Sequence, residues 1–366
     1  DCSPMLMLNC TYIGHLTTYR RAIIEQVGGF RSSFDFSQDY DLALRVTEKT
    51  SRIVHIEKIL YGWRMIASSA AAGGKPEARR SNIAALQDAV DRRGWAGTAV
   101  PLPTANRVAF DTSGYDNRVS LIVPSDNKAN ILQTIESIVS RSSYANFEIV
   151  VVTNSRIIGD LKGVDLDARV RLCPYDKPYS FSDKCNVGAL HARGELILLL
   201  NDDIEPLEPR WLEYMVAYST IPDVGAVGAK LLFGDGRIQH TGIVSVHGNP
   251  AHAFYGFPGD YIGYFGNAVQ AGNWLAVTGA CLLTPKATYE AVGGMSQTFP
   301  VNYNDVDYCL KVWSKGQRGA LVTDALLTHL EHSTREGSVS PAEMARLRER
   351  WATWIDRDPF YHPGFV

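Results

Sequence analysis

No apolar run in the 366 residues approaches the roughly 18 needed to cross a bilayer, and no charged-then-apolar leader opens the chain. Neither a spanning helix nor a signal peptide is expected. Charge of one sign is equally scarce: 36 Lys and Arg against 39 Asp and Glu give a formal net charge of −3, which removes any global drive toward nucleic acid or anionic lipid. The six cysteines (Cys2, Cys10, Cys173, Cys185, Cys281 and Cys309) include no CxxC pair, so they read as reduced thiols of an intracellular protein. A GxGxxG after the first parallel strand is missing, as is a GxxxxGKS/T loop, which argues against a dinucleotide Rossmann site and a P-loop. The expected location is the cytoplasm, with contact to the inner face of the membrane left to other segments or proteins. The first residue is Asp1, not methionine, and suggests a fragment or a processed start.

What is present is an ordinary soluble balance, 45% hydrophobic and 20% charged, in a chain long enough for two domains. The stretch that organises it is Glu195 followed by Leu196, Ile197, Leu198, Leu199 and Leu200, then Asn201, Asp202 and Asp203. Five aliphatic residues after Gly194 read as a strand buried on both faces. Two adjacent carboxylates at its end repel each other unless a cation neutralises them, and oxygen ligands suit magnesium or manganese. A solvated turn capped by Asp202 is the plainer alternative.

In chain order, a helix is expected over 19–27, ended by Gly28 and Gly29, and another from Ser37, whose polar cap precedes an apolar face. Residues 52–56 and 59–61 read as short strands, 68–75 as a Ser/Ala/Gly linker, and 77–93 as an amphipathic helix stopped by Gly94. Residues 98–117, rich in Pro and Gly, read as a second connection, with a domain boundary near 115. From Arg118 the pattern alternates: strand 119–123, helix 129–141, strand 147–152, strand 170–172, helix 184–192, then the central strand. Such alternation predicts a parallel sheet covered by helices, with its ligand at the carboxyl ends of the strands. Further on come a helix at 211–218, a strand pair within 224–232 and a strand at 277–283. His240, His247 and His252 fall among glycines, but their spacing fits no compact ligand set, so structural or substrate-contacting roles are expected.

An internal repeat changes how the acidic residues weigh. Residues 19–30 match 283–295 in kind, each ending in Gly-Gly before an aromatic or Met, and each copy then delivers a D-x-D at a helix start: Asp39 and Asp41, Asp305 and Asp307. Two related domains are implied, the first present only as its C-terminal half.

The Pro-Ser strand end at Pro124 and Ser125, Tyr179 to Ser182 before Asn186, the Leu-Asn-Asp-Asp run, Gln239-His240-Thr241-Gly242, Thr278-Gly279-Ala280-Cys281-Leu282 and Asn304-Asp305-Val306-Asp307 together resemble family 2 glycosyltransferases. In particular they are similar to bacterial tandem-domain enzymes of surface polysaccharide and O-antigen assembly. The resemblance implies a GT-A, Rossmann-related α/β fold with a mostly parallel central sheet, preceded by a partial second copy. The expected divisions are 1–67 (C-terminal part of a first such domain), 68–117 (helix and linker), 118–337 (complete domain) and 338–366 (helix and tail).

The same resemblance implies an inverting transfer from a nucleotide-diphospho-sugar to a glycan or lipid-linked glycan, with Mn2+ or Mg2+ held by Asp203 and His329. Asp305 is the implied base. Pro124, Ser125, Asp126, Thr153 and Asn154 are assigned to the base side of the nucleotide, Lys184 and Asn186 to the phosphate side, and Asp202 to the ribose or the metal shell. Trp274, Thr278, Gly279, Ala280 and Asn304 are assigned to the acceptor and sugar side, with Asp307 orienting its neighbours. Departures are Thr153 and Asn154, where relatives often carry aspartate, and Gly62 at the position matching the metal histidine in the first segment, which argues for activity only in the second domain. A degenerate glycan-binding or scaffold domain is the alternative from another class, followed by a sugar nucleotidyltransferase.

Overall fold

The computed structural model describes residues 2–64, 76–103, 105–330 and 341–365. Two compact units divide the chain: Asp1–Ser113 with Tyr264–Gly272, and Gly114–Gly263 with Asn273–Val366. The expected linker at 68–75 lies outside the described residues. The segment Tyr264–Gly272, expected inside the second domain, clusters with the first.

In the first unit, α1 (Pro4–Met7), α2 (Arg21–Val27), α3 (Gln38–Thr47) and α4 (Pro76–Arg92) precede a hairpin of β1 (Gly97–Pro101) and β2 (Asn106–Phe110). The hairpin corrects the expected plain connection. Its register places buried Ala99 opposite Val108, an apolar pair that the surrounding Pro and Gly obscure in the sequence. The strands expected at 52–56 and 59–61 are absent among the described residues; Val54, Ile56, Ile59 and Leu60 are exposed, with no neighbouring edge to pair with. After α2 the chain turns through Gly28 and Gly29, both with positive φ, and Arg45 of α3 reaches back to the carbonyls of Val27 and Gly29 (2.5 and 2.7 Å). Buried Asp41 pairs with both Arg45 and Arg31.

The second unit contains β3 (Val119–Pro124), α5 (Lys128–Arg141), β4 (Phe147–Thr153), α6 (Ser155–Asp160), β5 (Val170–Pro174), α7 (Phe181–His191), β6 (Leu196–Leu200), β7 (Ile204–Pro206), α8 (Trp211–Ser219), β8 (Val224–Leu232), β9 (Ile238–His240), β10 (Ile243–Val246) and β11 (Asn249–His252). A two-residue strand, β12 (Gly272–Asn273), is followed by β13 (Cys281–Pro285), α9 (Lys286–Ala291), α10 (Asn304–Ser314), β14 (Arg318–His329) and α11 (Pro341–Ile355). The sheet runs β14-β8-β13-β6-β3-β4-β5, with β7 beside β14 and β9 beside β8. Strands β6, β3, β4 and β5 are parallel, β8 and β14 are parallel, and β13 runs antiparallel between β6 and β8.

Every residue of β3, β4 and β6 is buried, so their aliphatic runs reflect cover on both faces. Residues 224–232 form one nine-residue strand, where a pair was expected. A Cβ at Gly228 would meet Val277 at 2.5 Å, so this glycine admits a close neighbour within a continuous strand. Residues 278–280 turn ahead of β13, so the expected strand at 277–283 begins later.

A similar set of local contacts occurs in the second unit. α9 is followed by Gly293 and Gly294 at positive φ, Lys311 of α10 donates to the Gly294 carbonyl, and buried Asp307 faces Lys311 one turn away.

Glu148 is sealed within β4, yet Ser120 Oγ (2.7 Å), the Arg193 amide (2.7 Å) and the Arg171 guanidinium (3.2 Å) converge on it. Burial alone would raise its carboxyl, but these donors outweigh burial and hold it below its ordinary range. Its ionised form therefore stabilises the fold above the ordinary carboxylate range, and that contribution is lost as pH falls through the lowered folded value. Glu148→Gln is expected to cost roughly 2 kcal/mol near neutral pH and much less in acid, read from denaturant midpoints at several pH values.

Candidate active site

The carboxyl ends of β3, β4, β6 and β14 bring together residues scattered over two hundred positions. At the end of β6, Asp202 accepts a hydrogen bond from Ser125 Oγ just beyond β3, and Thr134 Oγ1 of α5 donates to the Asp202 carbonyl (2.6 Å). Burial raises the Asp202 carboxyl above its ordinary range, and repulsion from Asp203 adds to this against the Ser125 hydrogen bond. Asp203 turns the other way. Its Oδ1 lies 3.0 Å from Nε2 of His329 at the end of β14.

His329 is held on both sides. Nδ1 is 2.5 Å from Gln239 Nε2 at the end of β9, and Nε2 is 3.2 Å from Asn201 Nδ2. Orientation of an imidazole by an outer partner is the arrangement metal-ligating histidines use. The residues fit a divalent cation: one carboxylate oxygen and one imidazole nitrogen face each other in a buried setting, and both are donors that manganese and magnesium accept. Among the described residues no third His, Cys, Asp or Glu completes the set, which leaves further positions to substrate oxygens or water.

The nucleotide-side residues form one lattice. Lys184 is fully buried in α7, and its ammonium reaches the Ser125 carbonyl (3.0 Å) and Asp126 Oδ1 (2.7 Å), while Tyr179 lies 4.8 Å beneath it. Asn154 donates to the same Asp126 oxygen (2.9 Å) and caps α6 through Ile157 N. Thr153 is buried with its hydroxyl unbonded, and Pro124 ends β3 opposite Val152.

Asp305 occupies the first turn of α10. Its Oδ2 accepts from the Gly279 amide (3.0 Å) and its Oδ1 from Val306 N (2.8 Å). A Cβ at Gly279 would lie 3.5 Å from Asp305 Cβ and 3.4 Å from Phe181, ordinary contact distances that show how closely the turn packs on the start of α10. Thr278, Gly279 and Ala280 are the turn that carries this contact, and the Ala280 carbonyl accepts from Asn201 N (2.9 Å). A path of hydrogen bonds thus joins Asp305, the turn, Asn201 and His329, whose Nε2 also faces Asp203 Oδ1.

Three assigned residues serve structure. Asn186 was expected at the phosphate side, but its Oδ1 accepts from Met295 N and Tyr289 OH (2.8 and 2.7 Å) and its Nδ2 donates to the Met295 carbonyl (2.8 Å). The Asn304 amide donates to the Val301 carbonyl (2.6 Å). Trp274 is only 5% exposed and lies against Gly242, where a Cβ would fall 2.3 Å from its ring, so it is a wall residue and offers no open face for a sugar. Asp307 points away from Asp305 and bonds Trp351 Nε1 (2.8 Å) and Arg350 (3.0 Å) of α11, an orienting role.

The three histidines separate: His247 is exposed, whereas His240 and His252 meet Nδ1 to Nδ1 at 2.9 Å. The sequence reading gave no specific role to Gln239, Asn201 or this pair; the Gln-His-Thr-Gly string was the available signal.

This sheet, with acids at the carboxyl ends of its strands, defines a GT-A-type α/β domain. Residues 117–353 match the family described as Glycosyltransferase like family 2, and the chain belongs to that family. It is 37% identical to the uncharacterized protein y4gI of Sinorhizobium fredii over all of this chain and 43% of that protein. It is 33% identical to the O-antigen biosynthesis protein RfbC of Myxococcus xanthus over 99% of this chain and 29% of that protein. The chain thus spans less than half the length of these curated relatives. In fold it is similar to GalNAc-T7, solved with UDP, GalNAc and Mn2+, at 13% identity and a TM-score of 0.51 over 67% of this chain and 49% of that one.

Asn186→Ala is expected to lower stability by about 1–3 kcal/mol, because it strands the Met295 amide and the Tyr289 hydroxyl. Denaturant titration checks this; unchanged stability with weakened nucleotide binding would restore the phosphate-side role.

Proposed function

We propose that the chain is an inverting, divalent-cation-dependent glycosyltransferase that moves a sugar from a nucleotide-diphospho-sugar to a hydroxyl of a glycan acceptor in bacterial surface-polysaccharide assembly. The observation that carries this reading is the Asp203–His329 pair joined to Asp305 by one path of hydrogen bonds. Family membership and the O-antigen relative support it.

A divalent cation bound by Asp203 and His329 would supply Lewis-acid neutralisation of the diphosphate leaving group. Asp126, Thr153 and Asn154 line the nucleotide, and buried Lys184 fixes the loop after β3 through Ser125 and Asp126. Asp305 takes the proton of the acceptor hydroxyl as that oxygen attacks the anomeric carbon opposite the leaving diphosphate, so a single displacement inverts the centre. The Gly279 amide keeps the Asp305 carboxylate aimed in that direction. Among the described residues no helix is long and apolar enough to cross a membrane, which fits work at a membrane surface only through other segments or proteins.

We also infer that the segment holding Asp39 and Asp41 is a second copy of the one holding Asp305 and Asp307, supported by the paired positive-φ glycines and by the basic side chain that returns to the second glycine's carbonyl in each. The first copy has Gly62 where the second has His329, and it carries no transfer.

Thermal stabilisation by sugar nucleotides in the presence of Mn2+ or Mg2+ identifies the donor. Asp305→Asn is expected to reduce transfer by at least about a thousandfold while donor stabilisation persists, and Asp39→Asn to leave transfer unchanged. Asp203→Asn is expected to abolish cation-dependent donor stabilisation. Full transfer by Asp305→Asn, or stabilisation indifferent to cation, overturns the reading.

A further inference from the structure

His240 and His252 belong neither to the expected cation pair nor to the nucleotide lattice, yet their hydrogen bonds fix where each proton sits. The Thr278 amide donates to His240 Nε2 (3.2 Å), so that nitrogen carries a lone pair. A neutral imidazole with a bare Nε2 holds its proton on Nδ1. His240 Nδ1 faces His252 Nδ1 at 2.9 Å, and two nitrogens at that distance share one proton, so His240 donates and His252 accepts. The proton of neutral His252 is therefore on Nε2.

Neutrality of both rings follows from their setting. His240 is completely buried; burial first, then the neighbouring His252 and His329, pushes it well below its ordinary range. Burial also lowers His252, with His329 in the same sense and Asp305 opposing. The groups around His252 are thus His240, Asp305, His329 and the Tyr255 ring at 6.2 Å. His252 keeps partial solvent access, and among the described residues no protein acceptor takes its Nε2.

The geometry points to His252 as a substrate-contacting residue whose Nε2–H donates to a hydroxyl of the sugar bound beside Asp305, with His240 as the positioning residue that fixes the tautomer. This rests on the glycosyl-transfer reading for its substrate, but not for its tautomers. The Thr278 turn then serves two groups at once: its Gly279 amide aims the Asp305 carboxylate and its Thr278 amide sets the donor on His252. One turn thus sets both an acceptor and a donor, the pairing a sugar hydroxyl needs.

Two measurements test it. Long-range proton–nitrogen NMR on the full chain labelled at histidine, with His240→Gln and His252→Gln for assignment, is expected to show the Nδ1–H form for His240 and the Nε2–H form for His252. An Nδ1–H form or a charged ring at His252 near neutral pH overturns the assignment. In transfer assays, His252→Leu is expected to lose about tenfold in kcat/KM, whereas His252→Gln, which keeps an N–H donor, stays within about threefold of wild type. Equal rates for His252→Leu and wild type overturn the substrate contact. Wild-type chain that transfers no sugar from any nucleotide donor overturns the glycosyl-transfer reading and the contact with it, while the NMR result judges the tautomers separately.

Discussion

Two carboxylates at consecutive positions terminate a strand in which every residue is buried, and the arrangement of the second unit depends on how that repulsion is relieved. Leaving both ionised without partners in such surroundings would be prohibitive. Each has its own solution. Asp202 is drawn toward the first parallel strand by the Ser125 hydroxyl, and Asp203 toward the far strand β14 by His329. The two side chains therefore diverge, one toward Ser125 after β3 and one toward His329 at the end of β14.

The helix that carries Asp305 resolves a similar conflict by periodicity. Residues two apart on a helix point about 200° apart, so Asp305 and Asp307 cannot share an environment. Asp305 meets a backbone amide and stays partly accessible, whereas Asp307 is fully buried among Trp351, Arg350 and Lys311. The first unit makes the same division, with buried Asp41 between two arginines and Asp39 bonded only to the next amide. A D-x-D at a helix start is thus one partly accessible position and one buried, anchoring position.

Much of this was legible in the sequence because it depends on local rules. Apolar runs located β3, β4 and β6, the last opened by Gly194, and the capping pattern at Ser37 located α3. The acidic pair, His329 and Asp305 were singled out through the family resemblance, and the structure sets Asp203 against His329 and Asp305 against the Gly279 amide. Less legible were contacts whose logic is spatial. Asn186 resembles a phosphate ligand in its string, but its amide fills the space left by Gly294, where a Cβ would lie 2.5 Å from its oxygen. Trp274 suggested a stacking platform, yet Gly242 admits the ring into the wall. The 97–110 hairpin was hidden because its turn residues dominate a short segment, and the apolar strings at 52–61 mimic strands without a partner edge.

The placement of Asp203 relative to Asp305 is set by strand direction. Because β13 runs antiparallel to β6, with Cys281 opposite Leu200, the start of β13 lies beside the end of β6. The turn before β13 therefore meets Asn201, and its next contact is Asp305. A parallel β13 would have delivered its carboxyl end there and carried the turn to the opposite edge of the sheet. Both links start from a backbone N–H, from Asn201 N to the Ala280 carbonyl and from Gly279 N to the Asp305 carboxylate. Neither involves the side chain of Asp203 or His329, so Asp305 keeps its place when those two are replaced. Register is the sensitive variable: a slip of one residue between β6 and β13 would turn the Leu200 and Cys281 side chains to the other face and take Asn201 away from Ala280.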